Sequence, residues 1–243
     1  MIGGRDLLAG GTWLAVSPDD LRVACVLNGI GRPAPAATRR SRGVLPLAAA
    51  AGEPLDRGIL ADLDPFLLVV AEPDRAFVQS WDGRDLAGRP LPAGLHMIVN
   101  TGLASQASGE DRPRALLTGR MAAGTEPTAA QPTTGPPPDV REHESARVGH
   151  FLRRFGSAAR PDPRPGVPVA AAWGDWFPLV NGDGIGPDDQ RALIVRRDLG
   201  DGRTWGTTST SLVALAPGRL RYDFTGRPGA GLLGDQAAWY SVL

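Results

Sequence analysis

The chain has 243 residues, 42% of them hydrophobic and 21% charged, which is ordinary for a globular protein with ample core. Lys and Arg together number 26 against 26 Asp and Glu, so no global field draws the chain to nucleic acid or to an anionic membrane. All of those cations are arginine, which excludes Schiff-base and phosphate-loop lysine chemistry, and the single Cys25 excludes an intrachain disulfide or a thiolate metal cluster.

In chain order, a strand-like run, Gly10 to Val16, follows a glycine pair. Ser17-Pro18-Asp19-Asp20 reads as a turn and Leu21 to Leu27 as a second strand, the two pairing as a hairpin that Asn28-Gly29 ends. Ser41 reads as the N-cap of an Ala/Leu-rich helix from about Arg42 to Ala51, with Pro46 its one defect. Phe66 to Ala71, Ala76 to Trp81 and Leu95 to Val99 are expected to form an antiparallel meander.

Residues 104–140, rich in Pro, Thr and Gly, read as a disordered insertion in an otherwise single domain spanning 1–243. Helical spacing resumes from Val140 to Phe155, with Val148, Phe151, Leu152 and Phe155 on one face. A Pro/Arg-rich linker leads to a short segment holding Trp173, Trp176 and Phe177. The strands Ala192 to Arg197, Ser209 to Leu215 and Leu220 to Phe224 follow, with an edge strand at Ala238 to Val242. Two strand groups separated by helices predict an α+β layered fold, not a doubly wound parallel sheet.

Several motifs fail on context. Gly229-Ala230-Gly231-Leu232-Leu233-Gly234 fits the letters of a dinucleotide fingerprint, but only nine residues follow it, so it reads as a loop. His143-Glu144 opens like a zinc-protease helix, yet Arg147 stands where the second histidine is needed, and a solvated helix face is the better reading. Asn181 to Asp189 lacks the alternating oxygens of a calcium loop. Arg39, Arg40 and Arg42 read as a solvated basic loop, Cys25 as a small buried hydrophobe, and Trp13, Trp173 and Trp176 as core. With no apolar span and no leader pattern, the default address is the cytoplasm.

Four features remain: Gly3-Gly4-Arg5-Asp6 before Gly10-Gly11-Thr12-Trp13-Leu14; Asn28 at a strand end; Ser41-Arg42-Gly43 at a helix start; and Gly94-Leu95-His96 running to Asn100. Trp205-Gly206-Thr207 matches less fully. In this order they resemble the NRDE family, which includes transport and Golgi organisation protein 2. The resemblance implies a four-layer αββα sandwich like that of the N-terminal-nucleophile hydrolases. It also implies a Met-Cys start and an Asn-Arg-Asp-Glu signature upstream of Met1, so the chain is expected to enter the fold in mid-sheet, lacking its first strand or strands.

In such a hydrolase an N-terminal Cys attacks a carbonyl with its own α-amino group, of pKa about 8, as base. By resemblance, Asn28 and Asn100 are candidate oxyanion donors, while Arg5, Asp6, Thr12 and Trp13 are candidate ligand-cleft residues. Thr208 stands where the family commonly has an arginine of its Gly-Thr-Arg element. The expected function is ligand binding or trafficking, with a small-molecule or lipid-like ligand. Haem is implied by the resemblance alone, since His96 reads as a satisfied strand histidine, and no metal site is expected. The alternative is an amidohydrolase acting through an N-terminal Cys that this chain does not contain.

Overall fold

The computed structural model describes residues 1–7, 9–105, 138–200, 202–226, 228 and 238–243, which divide into two compact units, Met1–Pro137 and Pro138–Leu243. The fold is α+β, with every sheet antiparallel.

In the first unit β1 (Leu14–Ser17) and β2 (Arg22–Asn28) form the expected hairpin, with Leu14 opposite Cys25. The sheet continues through β3 (Phe66–Ala71), β4 (Ala76–Trp81) and β5 (Leu86–Leu91) in simple sequence order. The fifth strand corrects the expected meander. Leu86–Leu91 reads Leu-Ala-Gly-Arg-Pro-Leu, a poor strand former except at a sheet edge, where a proline removes no ladder bond that is needed. The apolar run beyond it becomes β6 (His96–Val99) instead and pairs with β7 (Gly102–Ser105) as a separate hairpin. β7 takes in residues 104 and 105, the first two of the expected insertion at about 104–140. Residues 106–137 lie outside the described ones, as does the Gly229–Gly234 loop.

Strand alternation builds the core. Ala24, Val26, Phe66, Leu68, Val70 and Trp81 share one face of the sheet and pack with Leu45, Ala50, Leu60 and Leu63. Leu45 and Ala50 belong to α1 (Val44–Ala50), and Leu60 to the 3-10 helix Arg57–Asp62. The Trp81 indole N–H donates to the Leu63 carbonyl at 3.2 Å, so the one polar atom of that ring is satisfied inside the cluster. α1 is capped by Gly43, not Ser41, whose hydroxyl accepts the Gly43 N–H from two residues back at 3.2 Å. Pro46 is no defect: it is the third helical residue, where the missing N–H would have had no helical acceptor.

The second unit begins with α2 (Pro138–Ser157), in which Phe151 and Leu152 are buried as its spacing predicts. Glu144 is buried as well, which corrects the solvated-face reading around His143-Glu144. Two short helices follow, α3 (Val169–Trp173) and α4 (Trp176–Val180). The expected strand at Ala192 to Arg197 forms later, as β8 (Arg196–Asp198), paired with β9 (Thr204–Gly206). A three-stranded sheet comprises β10 (Thr210–Ala216), β11 (Arg219–Thr225) and the edge strand β12 (Tyr240–Ser241). Trp173 is core, and Trp176 packs edge-on against Phe155 at 4.9 Å.

Two charge clusters hold this unit. On β11, Arg221 and Asp223 are fully buried, two residues apart and therefore on one face. The Arg221 Nε–H donates to Asp223 at 2.6 Å, and other guanidinium donors take the carbonyls of Arg164 and Val167. The Trp173 indole N–H completes the Asp223 shell at 2.6 Å. The network pins residues 164–167 and α3 onto β11. Elsewhere Asp183, in the left-handed region at φ 53°, accepts from Arg154 at 2.7 and 2.8 Å and lies 2.8 Å from His150 Nε2. This ties α2 to the loop after α4.

Asp223→Ala strands a buried guanidinium and an indole N–H, and is expected to cost about 3–5 kcal/mol in urea unfolding. Asp162→Ala, which removes an exposed partner of Arg219, should cost far less. The Arg154 hydrogen bond, and then that of His150, hold the Asp183 carboxyl below its usual range. A depressed carboxyl stabilises the fold above its unfolded pKa, about 3.9, and loses that contribution as pH falls through the folded value. Asp183→Asn, which tolerates the same backbone, should therefore be less stable than wild type at pH 7. The gap between their urea midpoints should close as the medium is acidified below the carboxylate range.

Candidate functional site

The site begins with two glycines in contact. Gly10 and Gly11 both lie in the left-handed region, at φ 70° and 72°. A Cβ on Gly11 would stand 2.5 Å from the carbonyl carbon and oxygen of Gly43, and one on Gly43 would stand 2.9 Å from the Gly10 oxygen. The segment before β1 therefore lies backbone to backbone against the start of α1, and the Thr12 N–H donates to the Gly43 carbonyl at 2.9 Å. Asp6 shapes the loop leading in. Its backbone N–H bonds the Gly11 carbonyl at 3.0 Å, its carbonyl accepts from Gly10 at 3.0 Å, and its carboxylate accepts the Ala9 N–H at 2.9 Å.

Around this contact opens a pocket of about 400 Å³, lined by Asp6, Ala9, Gly10, Thr12, Trp13, Arg39, Arg40, Ser41, Arg42, Gly43 and Asp64. Thr12 is buried, and its hydroxyl is spent on Leu14, donating to the carbonyl at 2.7 Å and accepting the N–H at 3.2 Å. Trp13 is 48% exposed, which corrects its reading as core, and the Arg42 guanidinium lies 5.8 Å from its ring centre. Arg42 also donates to the Pro65 carbonyl at 2.7 Å. Burial lowers its pKa, Asp64 raises it and Arg39 lowers it further, but a guanidinium stays charged at any working pH. Arg39 is 3.2 Å from Asp64, whose carboxylate also takes the Ala34 N–H at 3.0 Å. The basic run read as a solvated loop is thus partly built into a site. The signal was its adjacency to Ser41-Arg42-Gly43.

Of the residues singled out in the sequence, Asp6, Thr12 and Trp13 meet here, while exposed Arg5 is not among the lining residues. Asn28 ends β2 opposite Phe66, and Asn100 follows β6 in a turn; both are exposed and neither lines the pocket. Cys25 is half-buried in mid-strand, and burial pushes its thiol up to about 11, so it stays protonated and unreactive at neutral pH. The His96 Nε2 lies 2.8 Å from the Pro92 carbonyl. Thr208 is exposed in the second unit. No cluster of metal-binding side chains occurs among the described residues, and no described helix is long and apolar enough to cross a membrane.

Three guanidiniums, two carboxylates and an exposed indole surround an open space. No histidine or cysteine stands beside the Thr12 or Ser41 hydroxyls to activate them. The fold and pocket define an α+β protein with a glycine-built, arginine-lined pocket. The family model for Transport and Golgi organisation 2 matches residues 1–111, and over this stretch the chain is similar to that family. The match contains the whole pocket and the β6–β7 hairpin, while Trp205-Gly206-Thr207 falls outside it. No curated protein matches the chain.

Gly10→Ala and Gly11→Ala separate two costs. Both put a side chain at positive φ, about 1–2 kcal/mol each, but Gly10 faces open space, whereas Gly11 must push the Gly43 backbone away. Thermal unfolding should show Gly11→Ala clearly the less stable of the two.

Proposed function

We propose that the chain is a ligand-binding protein of the Transport and Golgi organisation 2 family, with its ligand in the pocket between Gly10-Gly11-Thr12-Trp13 and Ser41-Arg42-Gly43. The observation that carries this reading is the convergence of those two elements on one pocket of about 400 Å³, within the range for small-molecule sites. The ligand is a small molecule with an anionic group facing Arg39, Arg40 and Arg42. Its apolar or planar part rests on the exposed Trp13 ring, as the thioester end of an acyl coenzyme or another lipid-like anion could.

Haem fits less well. An axial ligand has to come from His, Cys, Met or Tyr, and none of these lines the pocket. His96 and His150 are engaged by Pro92 and Asp183. An amidohydrolase reading lacks a nucleophile in this pocket, and Cys25 does not supply one. The scaffold is read as a four-layer αββα sandwich of the N-terminal-nucleophile type that lacks its first strand or strands. Supporting this, the main sheet of the first unit carries α1 and the 3-10 helix on one face.

Titrating the protein with an acyl-CoA, followed by tryptophan fluorescence, should give saturable quenching. Trp13→Ala should weaken binding about tenfold, as expected for loss of one aromatic platform beside a cation. Haem should bind without the absorption of an axially ligated iron. A wild-type protein that shows no saturable response to acyl-CoA would overturn the reading.

A further inference from the structure

A second cavity, of about 370 Å³, opens between α1 and the helix-covered face of the five-stranded sheet, and it shares no lining residue with the glycine-built pocket. The sequence of α1 explains the space. The helix reads Val-Leu-Pro-Leu-Ala-Ala-Ala, and the methyl groups of Ala48 and Ala49 leave unfilled the volume that longer side chains would occupy. The sheet contributes Leu68, Val70 and Phe77 to the walls, and the segment after α1 contributes Leu55 and Ile59. A cleft of this size, with apolar and charged side chains both in its lining, is at the lower end of the range for small-molecule sites.

The charged residues at this cavity are largely committed to one another. Arg22 and Arg75 each bond Glu72, at 2.8 and 2.7 Å, and Arg22 also reaches the Ala50 carbonyl at 3.3 Å. Gly52, at φ 81°, makes room for this, since a Cβ there would stand 2.6 Å from Arg22 Nη1. Glu53 and Asp56 add negative charge to the lining. A ligand carboxylate would meet three acids, and a ligand ammonium would have to compete with two arginines.

Gln79 stands apart from these pairs. It lies opposite Leu68, on the same face as Phe77 and Trp81, and it is half-buried. Its amide has no hydrogen-bond partner among the described residues. A half-buried amide beside Leu68, Val70 and Phe77 is a placed group of the kind that orients a ligand.

We propose that this groove binds a small uncharged amphiphile, such as a medium-chain alcohol or amide, with its chain along Ala48, Leu68, Val70 and Phe77 and its polar end on the Gln79 amide. The test is a calorimetric titration of the full chain with 1-octanol, octanoate and octylamine. Octanol should bind saturably and more tightly than either ion. Ala48→Leu, which keeps a good helix former and fills the groove, should abolish binding while the circular dichroism stays native. Gln79→Leu should weaken octanol by about three- to tenfold, the value of one hydrogen bond. Trp13→Ala should bind octanol as wild type does, which separates this site from the first. The proposal falls if wild type shows no saturable octanol binding, or if folded Ala48→Leu binds it equally. It also falls if either ion binds as tightly, or if Trp13→Ala loses octanol.

Discussion

Two peptide backbones touch at Gly11 and Gly43, and the first unit is arranged around that contact. The distances leave no room for a Cβ on either side. Because the approach is so close, Thr12 can bond the Gly43 carbonyl, and α1 starts directly beside the entrance to β1. Trp13 then projects at the mouth of the pocket, where the Arg42 guanidinium lies over its ring. A side chain at either glycine would separate the segment before β1 from the helix start, and the lining would lose its shape with no lining residue changed.

The same helix borders two cavities with separate linings. At its N-terminal end the arginines of residues 39–42 and two carboxylates surround a polar opening. Along its Ala-rich length the space over the sheet is lined by Leu68, Val70 and Phe77 together with Gln79 and the charged side chains of Arg22, Glu53, Asp56, Glu72 and Arg75. In the first the guanidiniums retain donors for a ligand, whereas in the second both arginines are paired with Glu72. What separates them is the partner available to each arginine, not the number of arginines.

The second unit is held differently. Its three-stranded sheet carries a buried ion pair on the face that also holds Leu212 and Ala214, since Asp223 pairs with Leu212 and Arg221 with Ala214. Such a pair is tolerable only because each donor and acceptor has a partner: two carbonyls, an indole and the opposite charge. Its benefit is positional, because it ties residues 164–167 to β11.

Much of this was legible in the chain itself. Alternation located β2, β3, β4, β10 and β11, and the 3.6-residue period located α2, because one-dimensional burial patterns report which face of a regular element meets a core. Motif order was enough to point to the family over residues 1–111. Tertiary structure decided what local pattern cannot encode. Leu86–Leu91 is a strand only because β4 offers it an edge, and the more apolar run after it pairs elsewhere. Arg221 and Asp223 would be assigned to water by polarity, yet they are buried because each completes the other's hydrogen bonds. Arg39 and Arg42 became pocket residues only when Gly11 and Gly43 brought two distant segments into contact. Composition and period are properties of neighbours in sequence, whereas a pocket is a property of segments that meet in space.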